Sequence, residues 1–426
     1  MLIVQKYGGT SVGSAERIRA VADRVVRARR RGDRLVVVVS AMGDSTDDLV
    51  ALAADVGGHE RAAGRHPREM DMLLTAGERI SMALLAMAIR EAGEGAVSLT
   101  GSQAAIITDG AHTAARITEV RGDRVRAALD QEQVVIVAGF QGVSPTREIT
   151  TLGRGGSDTT AVALAAALGA DRCEIYSDVA GVFTADPRRV ATARVVPELS
   201  YDEMLELASA GAQVMHGRAV EIAARFDVDL RLGSAFGDGD EAEFGTLITR
   251  SPDRMEELVL TGIAAKPGQA KLTLHEMPAG LRTVTAVLVA FAEAGVSVDM
   301  ISEAAGADGR IHLQLTLSEA DLEEAARIVD GMIPAMGGGG REIRRGLSRI
   351  ALVGSGMHQR PGVYARAYRA LLEQEIDVFA VSTSGISITL LVETAREGEA
   401  VQSLHDAFTL DLIGGEESAV HAAGEG

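Results

Sequence analysis

The stretch TLGRGGSDTT, residues 151–160, sets Gly153, Arg154, Gly155, Gly156 and Asp158 directly before the apolar run AVALAAALGA. A helix starting there points unpaired backbone N–H groups and the positive end of its dipole into the loop. The glycines then let a ligand reach the bare backbone. Arg154 suits a bidentate pair with a carboxylate or phosphate, whereas Asp158 has the wrong sign for a phosphate and suits an ammonium. A site with both would hold an amino acid. The same residues also read as a plain helix start, with Ser157 or Asp158 as N-cap and the glycines making a turn. The loop is not a Walker A motif, because GxxxxGK followed by Ser or Thr is absent, and no GxGxxG follows the first strand-like segment.

On either side of this loop the chain alternates. LIVQKYGG (2–9) reads as strand and turn, AERIRAVADRVVRARRRG (15–32) as an amphipathic helix, and DRLVVVVSAMG (33–43) as a strand buried on both faces. Next come the helix REMDMLLTAGERISMALLAMAIREAG (68–93), the strand QVVIVAGFQGV (133–143), the helix DTTAVALAAALGA (158–170), the strand RCEIYSDVAGV (172–182) and the helix SYDEMLELASAGA (200–212). This order predicts an α/β fold, a three-layer arrangement around an open, mainly parallel sheet, with ligands beyond the carboxyl ends of the strands. KYGGTS, SAMGDST, GFQGV, GRGGSD and YSDVAGV all follow strand-like segments, which points to one composite site.

Composition narrows the function classes. At 426 residues and 46% hydrophobic content, the chain is expected to form two or three domains. A net charge of -18 argues against nucleic-acid partners or an anionic membrane surface. Apolar runs such as LVVVVSAM fall short of the roughly 20 residues of a membrane span, and no signal-peptide pattern precedes the first strand, so a cytoplasmic setting is expected. The single cysteine, Cys173, reads as a packed core thiol. Of 42 Lys and Arg residues only Lys6, Lys266 and Lys271 are lysines, so a lysine that persists invites a chemical reason. Lys6 sits at a strand end before a Gly-Gly turn, where a compact ammonium can reach a phosphate.

KYGGTSVGSAERI, VVVVSAMGDSTDDL, TAGERIS, TLGRGGSDTTAVALAAALGA and EIYSDVAGVFTADPR together resemble aspartate kinase, of the amino-acid kinase superfamily, over residues 1 to about 250. The resemblance implies ATP-dependent phosphorylation of the L-aspartate side-chain carboxylate to 4-phospho-L-aspartate, which opens lysine, threonine, methionine and diaminopimelate synthesis. It places Lys6 and the backbone of Gly8, Gly9 and Thr10 at the transferring phosphate. Thr46 and Glu78 become substrate contacts, with Arg154 on the α-carboxylate and Asp158 on the ammonium. Ser177, Asp178, Phe183, Asp186 and Arg188 match the nucleotide-binding segment, and Mg2+ would be held largely by the phosphates of ATP. Each has a structural alternative: Glu78 as a paired carboxylate in an apolar helix, Asp186 as turn chemistry before Pro187, Thr46 as a helix cap. Where the family usually reads GAKVLHPR this chain has GAQVMHGR, so Gln213 replaces an ammonium and Gly217 a proline. That departure keeps open a non-catalytic regulatory paralogue, which the retained Lys6 and Asp158 oppose; a related kinase with another acidic substrate is the other alternative, opposed by the substrate set of Thr46, Glu78, Arg154 and Asp158.

The last third contains a repeat. AKLTLHEMPAGLRTVTAVLVAFAEAGVSVDMIS parallels RIALVGSGMHQRPGVYARAYRALLEQEIDVFAVS, with Ser302 and Ser382 80 residues apart. Each copy reads strand, loop, helix, strand and then an alternating strand, IHLQLTL or ISITLLV. These resemble the paired, ferredoxin-like ACT modules of aspartate kinases, which implies homo-oligomerisation through them and effector binding in the first loop. The expected organisation is a catalytic domain at 1–250, with modules at 258–335 and 346–420. FGDGDEAEFG (236–245) is expected as a surface loop, and Met255 is a candidate internal start. The first module has MPAGLRT where an Asp-x-Pro-Gly loop is usual, Glu303 and Ala304 replace a Gln-Asn pair, and Gly385 and Ser387 stand where an acidic and a basic residue are common. Weakened lysine or threonine feedback and an ordinarily regulated enzyme both fit these residues.

Overall fold

The structure, a computed structural model, describes residues 1–57, 65–212, 214–236, 245–252, 260–360 and 362–410. Gln213, Met255, most of the 236–245 loop and the chain beyond 410 lie outside the described residues. The strand Leu2–Tyr7 runs through the middle of an eight-stranded sheet, paired in parallel with Arg34–Val39 on one side and Arg172–Ser177 on the other. Val134–Ala138 and Ala96–Leu99 extend the first side in parallel. Leu230–Ser234 extends the second, and Thr246–Thr249 then reverses direction.

The continuous apolar runs RLVVVV and VVIVA have the expected consequence that both faces are buried. Val4, Val36, Val38, Val135 and Val137 pack with Ala161, Val162 and Leu164 of the helix Gly156–Leu168. Ile3, Leu35, Val37, Val39 and Ile136 pack with Ile18, Val21 and Val25 of the helix Ala15–Arg30, and with Leu85 and Ile89 of the helix Pro67–Glu91. Alternate residues of one strand thus feed two cores, which is why no polar position interrupts the pattern. Ser14 starts the first helix by accepting a hydrogen bond from the Arg17 N–H at 3.2 Å. Cys173 is fully buried, and burial pushes its thiol up.

The segment expected as one strand over 133–143 is two. Val134–Ala138 stays in the large sheet, while Gln141–Val143 joins a four-stranded sheet with Ile106–Thr108, Ile117–Val120 and Ile149–Thr151. The break has a packing cause: a Cβ on Gly139 would lie 2.6 Å from Ser157 Oγ, and Phe140 turns at φ +67°. The start of the helix Gly156–Leu168 therefore presses on the chain where the strand would continue.

The helix Pro67–Glu91 is long and apolar enough to cross a membrane by length and composition. It buries Asp71, Glu78, Leu85 and Ile89 within the protein and reads as a core helix.

The repeated region forms one six-stranded sheet, ordered Val298–Ala305, Arg310–Ser318, Gly262–Pro278, Gly340–Val353, Ser387–Glu393 and Ala380–Thr383. Its two long central strands are shared. The first half of Gly262–Pro278 pairs with Arg349–Val353, beside the second repeat, and its second half pairs with Arg310–Ser318 of the first. Gly340–Arg344 returns to complete the first repeat, while Leu347–Val353 pairs with Ser387–Glu393 of the second. The second repeat thus takes an edge from chain that precedes the first, and the first takes one from the chain between the two.

Glu203, on the helix Tyr201–Ser209 and 1% exposed, ties this sheet to the amino-terminal half. Its Oε2 accepts from the Ser200 N–H at 2.9 Å in a capping box, and its Oε1 accepts from Thr261 Oγ1 at 2.6 Å and Ser355 Oγ at 3.1 Å. A buried carboxylate serving two units is costly to remove, because its donors lose their acceptor. Glu203→Ala should destabilise by about 2–3 kcal/mol and separate the unfolding of the two units, giving two calorimetric transitions where the parent shows one.

Candidate active site

The carboxyl ends of the central strands meet where the two Gly-bearing loops touch. Gly8 N–H donates to Tyr176 O at 3.3 Å, and Gly43 N–H donates to Gly9 O at 3.0 Å. A Cβ on Gly9 would stand 2.9 Å from Ala41 O, so the KYGGTS and SAMGDST loops stack with no room for a side chain between them. Thr10 opens the short turn Thr10–Val12 and is exposed, and its carbonyl accepts from Arg17 Nη1 at 2.6 Å.

Lys6 Nζ lies 2.7 Å from Asp158 Oδ1, both side chains being about one-tenth exposed. The sequence gives both residues roles without pairing them. Parallel strand order does pair them, because the helix Gly156–Leu168 packs over the strand Leu2–Tyr7. No side chain caps that helix: its N-cap is Gly155, at φ +67°, and a Cβ there would collide with His216 at 2.2 Å. Neither Ser157 nor Asp158 is the cap. The helix start remains an anion-binding end, and the lysine ammonium at its first turn adds to the positive field. Arg154 stands exposed on the same loop, without a hydrogen bond or ion pair to the described residues.

Glu78 approaches from the helix Pro67–Glu91. It is 3% exposed, and its Oε1 accepts from the Ala41 N–H at 3.2 Å. Its Oε2 is buried without a partner among the described residues. Gly77 permits the approach, since a Cβ there would meet Ala41 Cβ at 2.7 Å. Desolvation raises the Glu78 carboxyl to about 7, offset in part by the backbone hydrogen bonds it accepts. An orphaned buried carboxylate oxygen beside a glycine-rich loop suits a cationic ligand group. Thr46 lies in the first turn of the helix Ser45–Gly57, half-buried, on the loop that Ala41 and Gly43 lead into.

The nucleotide-segment residues are less convergent. Ser177 ends the strand Arg172–Ser177, next to Leu2–Tyr7, and its Oγ accepts from the Val179 N–H at 3.2 Å. Asp178 is exposed and Phe183 half-buried, in a bridge with Val195. Asp186 and Arg188 pair with each other, with Arg188 Nε 3.0 Å from Oδ1 and Nη2 2.9 Å from Oδ2 of Asp186. The Arg188 guanidinium holds the Asp186 carboxyl below its ordinary range. Arg218, five residues after Gln213, donates to Leu152 O at 2.6 Å and Ala115 O at 2.9 Å.

Sequence reading missed the residues that join this loop to the second repeat. Thr184 Oγ1 lies 2.9 Å from His405 Nε2, Ile263 N–H donates to Thr184 O at 2.7 Å, and Arg189 pairs with the buried Glu397. The partners are more than 70 residues apart, and no motif spacing signals such contacts.

The pH dependence of stability carries the signature of Glu78. Between pH 4.5 and about 7 the unfolded chain gives up this proton while the folded protein keeps it. Stability therefore falls across that window and stays lower above it. Glu78→Gln, which retains the acceptor for Ala41, should remove this loss and gain up to about 3 kcal/mol over the parent above pH 7 but little below pH 4.5, measured by denaturant titration at both ends.

Comparison with known proteins agrees with this geometry. The profile of the Amino acid kinase family matches residues 1–234, and that of an ACT domain matches residues 350–408. An aspartokinase of Geobacillus stearothermophilus is 46% identical over 409 residues, covering 96% of this chain and 97% of the relative. One of Mycolicibacterium smegmatis is 46% identical over 430 residues, covering 100% and 99%. The crystal structure of E. coli aspartokinase III in complex with aspartate and ADP superposes with a TM-score of 0.77 at 25% identity, covering 96% of this chain and 99% of that one. With a glycine-lined strand-end site in the amino-terminal half and an ACT sheet behind it, this chain belongs to the aspartokinases of the amino acid kinase family.

Proposed function

We propose that this chain transfers the γ-phosphoryl group of ATP to the side-chain carboxylate of L-aspartate, giving 4-phospho-L-aspartate and ADP, as a cytoplasmic enzyme. The observation that carries the reading is the Lys6–Asp158 pair at 2.7 Å, set between the Gly8–Gly9 turn and an uncapped helix start. The aspartate and ADP of the E. coli complex name the ligand classes such a site would hold.

Each residue then has a physical task. Lys6, with the N–H groups of Gly8, Gly9 and Thr10, offsets charge on the phosphoryl oxygens as the bond to the leaving ADP breaks and the bond to the carboxylate forms. Asp158 holds the Lys6 ammonium through Oδ1, and a carboxylate has a second oxygen to offer the substrate ammonium. Glu78 Oε2 supplies a further buried acceptor for that ammonium, and Thr46 contacts the substrate. Arg154 takes the α-carboxylate through its guanidinium fork. No general base is needed, because the attacking carboxylate is ionised near neutral pH. Ser177, Asp178 and Phe183 border the nucleotide, with the Asp186–Arg188 pair shaping the turn beside it. Mg2+ would be held mainly by the nucleotide phosphates, since its octahedral shell is commonly filled by phosphate oxygens and waters.

The effector loop of the first repeat closes on itself: Thr283 Oγ1 donates to Pro278 O at 2.7 Å, and the stretch MPAGLRT carries no acid. Glu303 and Ala304 lie exposed on the strand Val298–Ala305. In the second repeat Ser387 is buried, its Oγ 2.8 Å from Ser384 Oγ, with Gly385 in the turn between them. A loop without a carboxylate to meet an effector ammonium supports weakened lysine and threonine feedback. The exposed edge strands Val298–Ala305 and Ala380–Thr383 support association of copies through this sheet.

Aspartyl hydroxamate formation by the purified full chain tests the reading. The parent should turn over with ATP and L-aspartate, and Lys6→Met should lose about 100-fold or more in kcat, since a preorganised charge on the transferring group is removed. Absence of ATP-dependent hydroxamate from the parent would sink the proposal. Two further outcomes are expected in the same assay. Lysine and threonine together should leave most of the activity, and KM for aspartate should rise as pH falls below about 7, where Glu78 gains its proton, a dependence lost in Glu78→Gln.

A further inference from the structure

Asp71, seven residues and so about two helical turns before Glu78 on the same helix, has no part in the chemistry above, yet it is 0% exposed and fully engaged. Its Oδ1 accepts from Thr151 Oγ1 at 2.5 Å and the Thr113 N–H at 3.0 Å, and its Oδ2 lies 2.6 Å from His112 Nδ1. A buried carboxylate with three partners is expensive to keep unless the arrangement is useful. Its partners lie on two backbone segments. His112 and Thr113 belong to the connection between the strands Ile106–Thr108 and Ile117–Val120, and Thr151 ends the strand Ile149–Thr151.

A second charged group from another helix holds the same two segments. Arg218, in the helix Gly217–Phe226, donates to Ala115 O and to Leu152 O. The segments are also joined directly, Ala115 N–H donating to Thr151 O at 2.9 Å. Arg154 follows two residues after Leu152. Between them lies Gly153 at φ +75°, and Gly155 at φ +67° comes next. A glycine-flanked arginine with no hydrogen bond or ion pair to the described residues has little of its own to fix where it stands. What sets it is the strand end behind it, pinned on the Thr151 hydroxyl and the Leu152 carbonyl.

We infer that Asp71 and Arg218 are positioning residues for the substrate α-carboxylate: a carboxylate and a guanidinium from two helices brace the 112–115 and 151–152 backbone, and that brace sets where Arg154 stands. The inference rests on the proposed assignment of Arg154 to the α-carboxylate. Neither residue touches the reacting atoms. Their effect is on one substrate and not on the other.

Steady-state kinetics of full-length variants test it. D71N, R218K and T151V should each raise KM for L-aspartate about tenfold, with KM for ATP held within about twofold, as expected for a lost charge-assisted contact that misplaces one binding group. H112N, which keeps an N–H donor for Asp71, should stay near the parent. β-Alanine, which lacks the α-carboxylate, should inhibit D71N and the parent with the same inhibition constant. Equal rises in both KM values, or lowered thermal stability with unchanged kinetics, would reduce Asp71 and Arg218 to structural residues and overturn the inference. R154A separates the two layers: an unchanged KM for aspartate in R154A would sink the assignment of Arg154 and the inference with it. A raised KM there with D71N, R218K and T151V unaffected would sink the inference alone. If D71N does not fold, R218K and T151V still decide.

Discussion

The contact on which the rest of the site depends is the one between Lys6 and Asp158, 2.7 Å apart. It joins the carboxyl end of the central strand to the first turn of a helix 150 residues later. Neither charge would be stable alone at about one-tenth exposure, so each justifies the burial of the other. The pair forms because the strand Leu2–Tyr7 lies between Arg34–Val39 and Arg172–Ser177, beneath the helix Gly156–Leu168. In a parallel sheet all strand ends of one polarity face the same way, and loops far apart in sequence converge there.

Close packing gives this convergence its precision. Gly9 against Ala41, Gly77 against Ala41, Gly139 against Ser157 and Gly155 against His216 are all places where a Cβ would collide. The glycines of the signature loops therefore serve two ends: they expose backbone donors, and they let the elements carrying Lys6, Glu78 and Asp158 approach to van der Waals distance. The cost is a loop with little stiffness of its own, and the brace from Asp71 and Arg218 answers that cost with polar contacts from the scaffold.

The six-stranded sheet is joined to the amino-terminal half by buried polar groups. Glu203 accepts from Thr261 and Ser355, and Thr184 meets His405. Thr184 lies between Phe183 and Asp186, in the proposed nucleotide segment, and its partner His405 lies on the helix Glu397–Ala407.

Much was legible in the sequence alone. The valine runs read as strands buried on both faces, amphipathic spacing marked the first helix, and the order of elements specified a mainly parallel sheet. Long ordered motifs such as KYGGTS and GRGGSD marked two strand-end loops as candidates, and the fold brings them together at Lys6 and Asp158. Tertiary structure decided what local pattern could not. It broke the 133–143 segment in two at Gly139, where a Cβ would collide with Ser157. It paired Lys6 with Asp158, turned Arg218 onto backbone carbonyls, left one oxygen of Glu78 buried without a partner, and wove the two repeats through shared central strands. The difference has one physical reason: strand and helix preferences arise between near neighbours in the chain, whereas the partner of a buried charge is chosen by whatever the folded chain brings within about 3 Å of it.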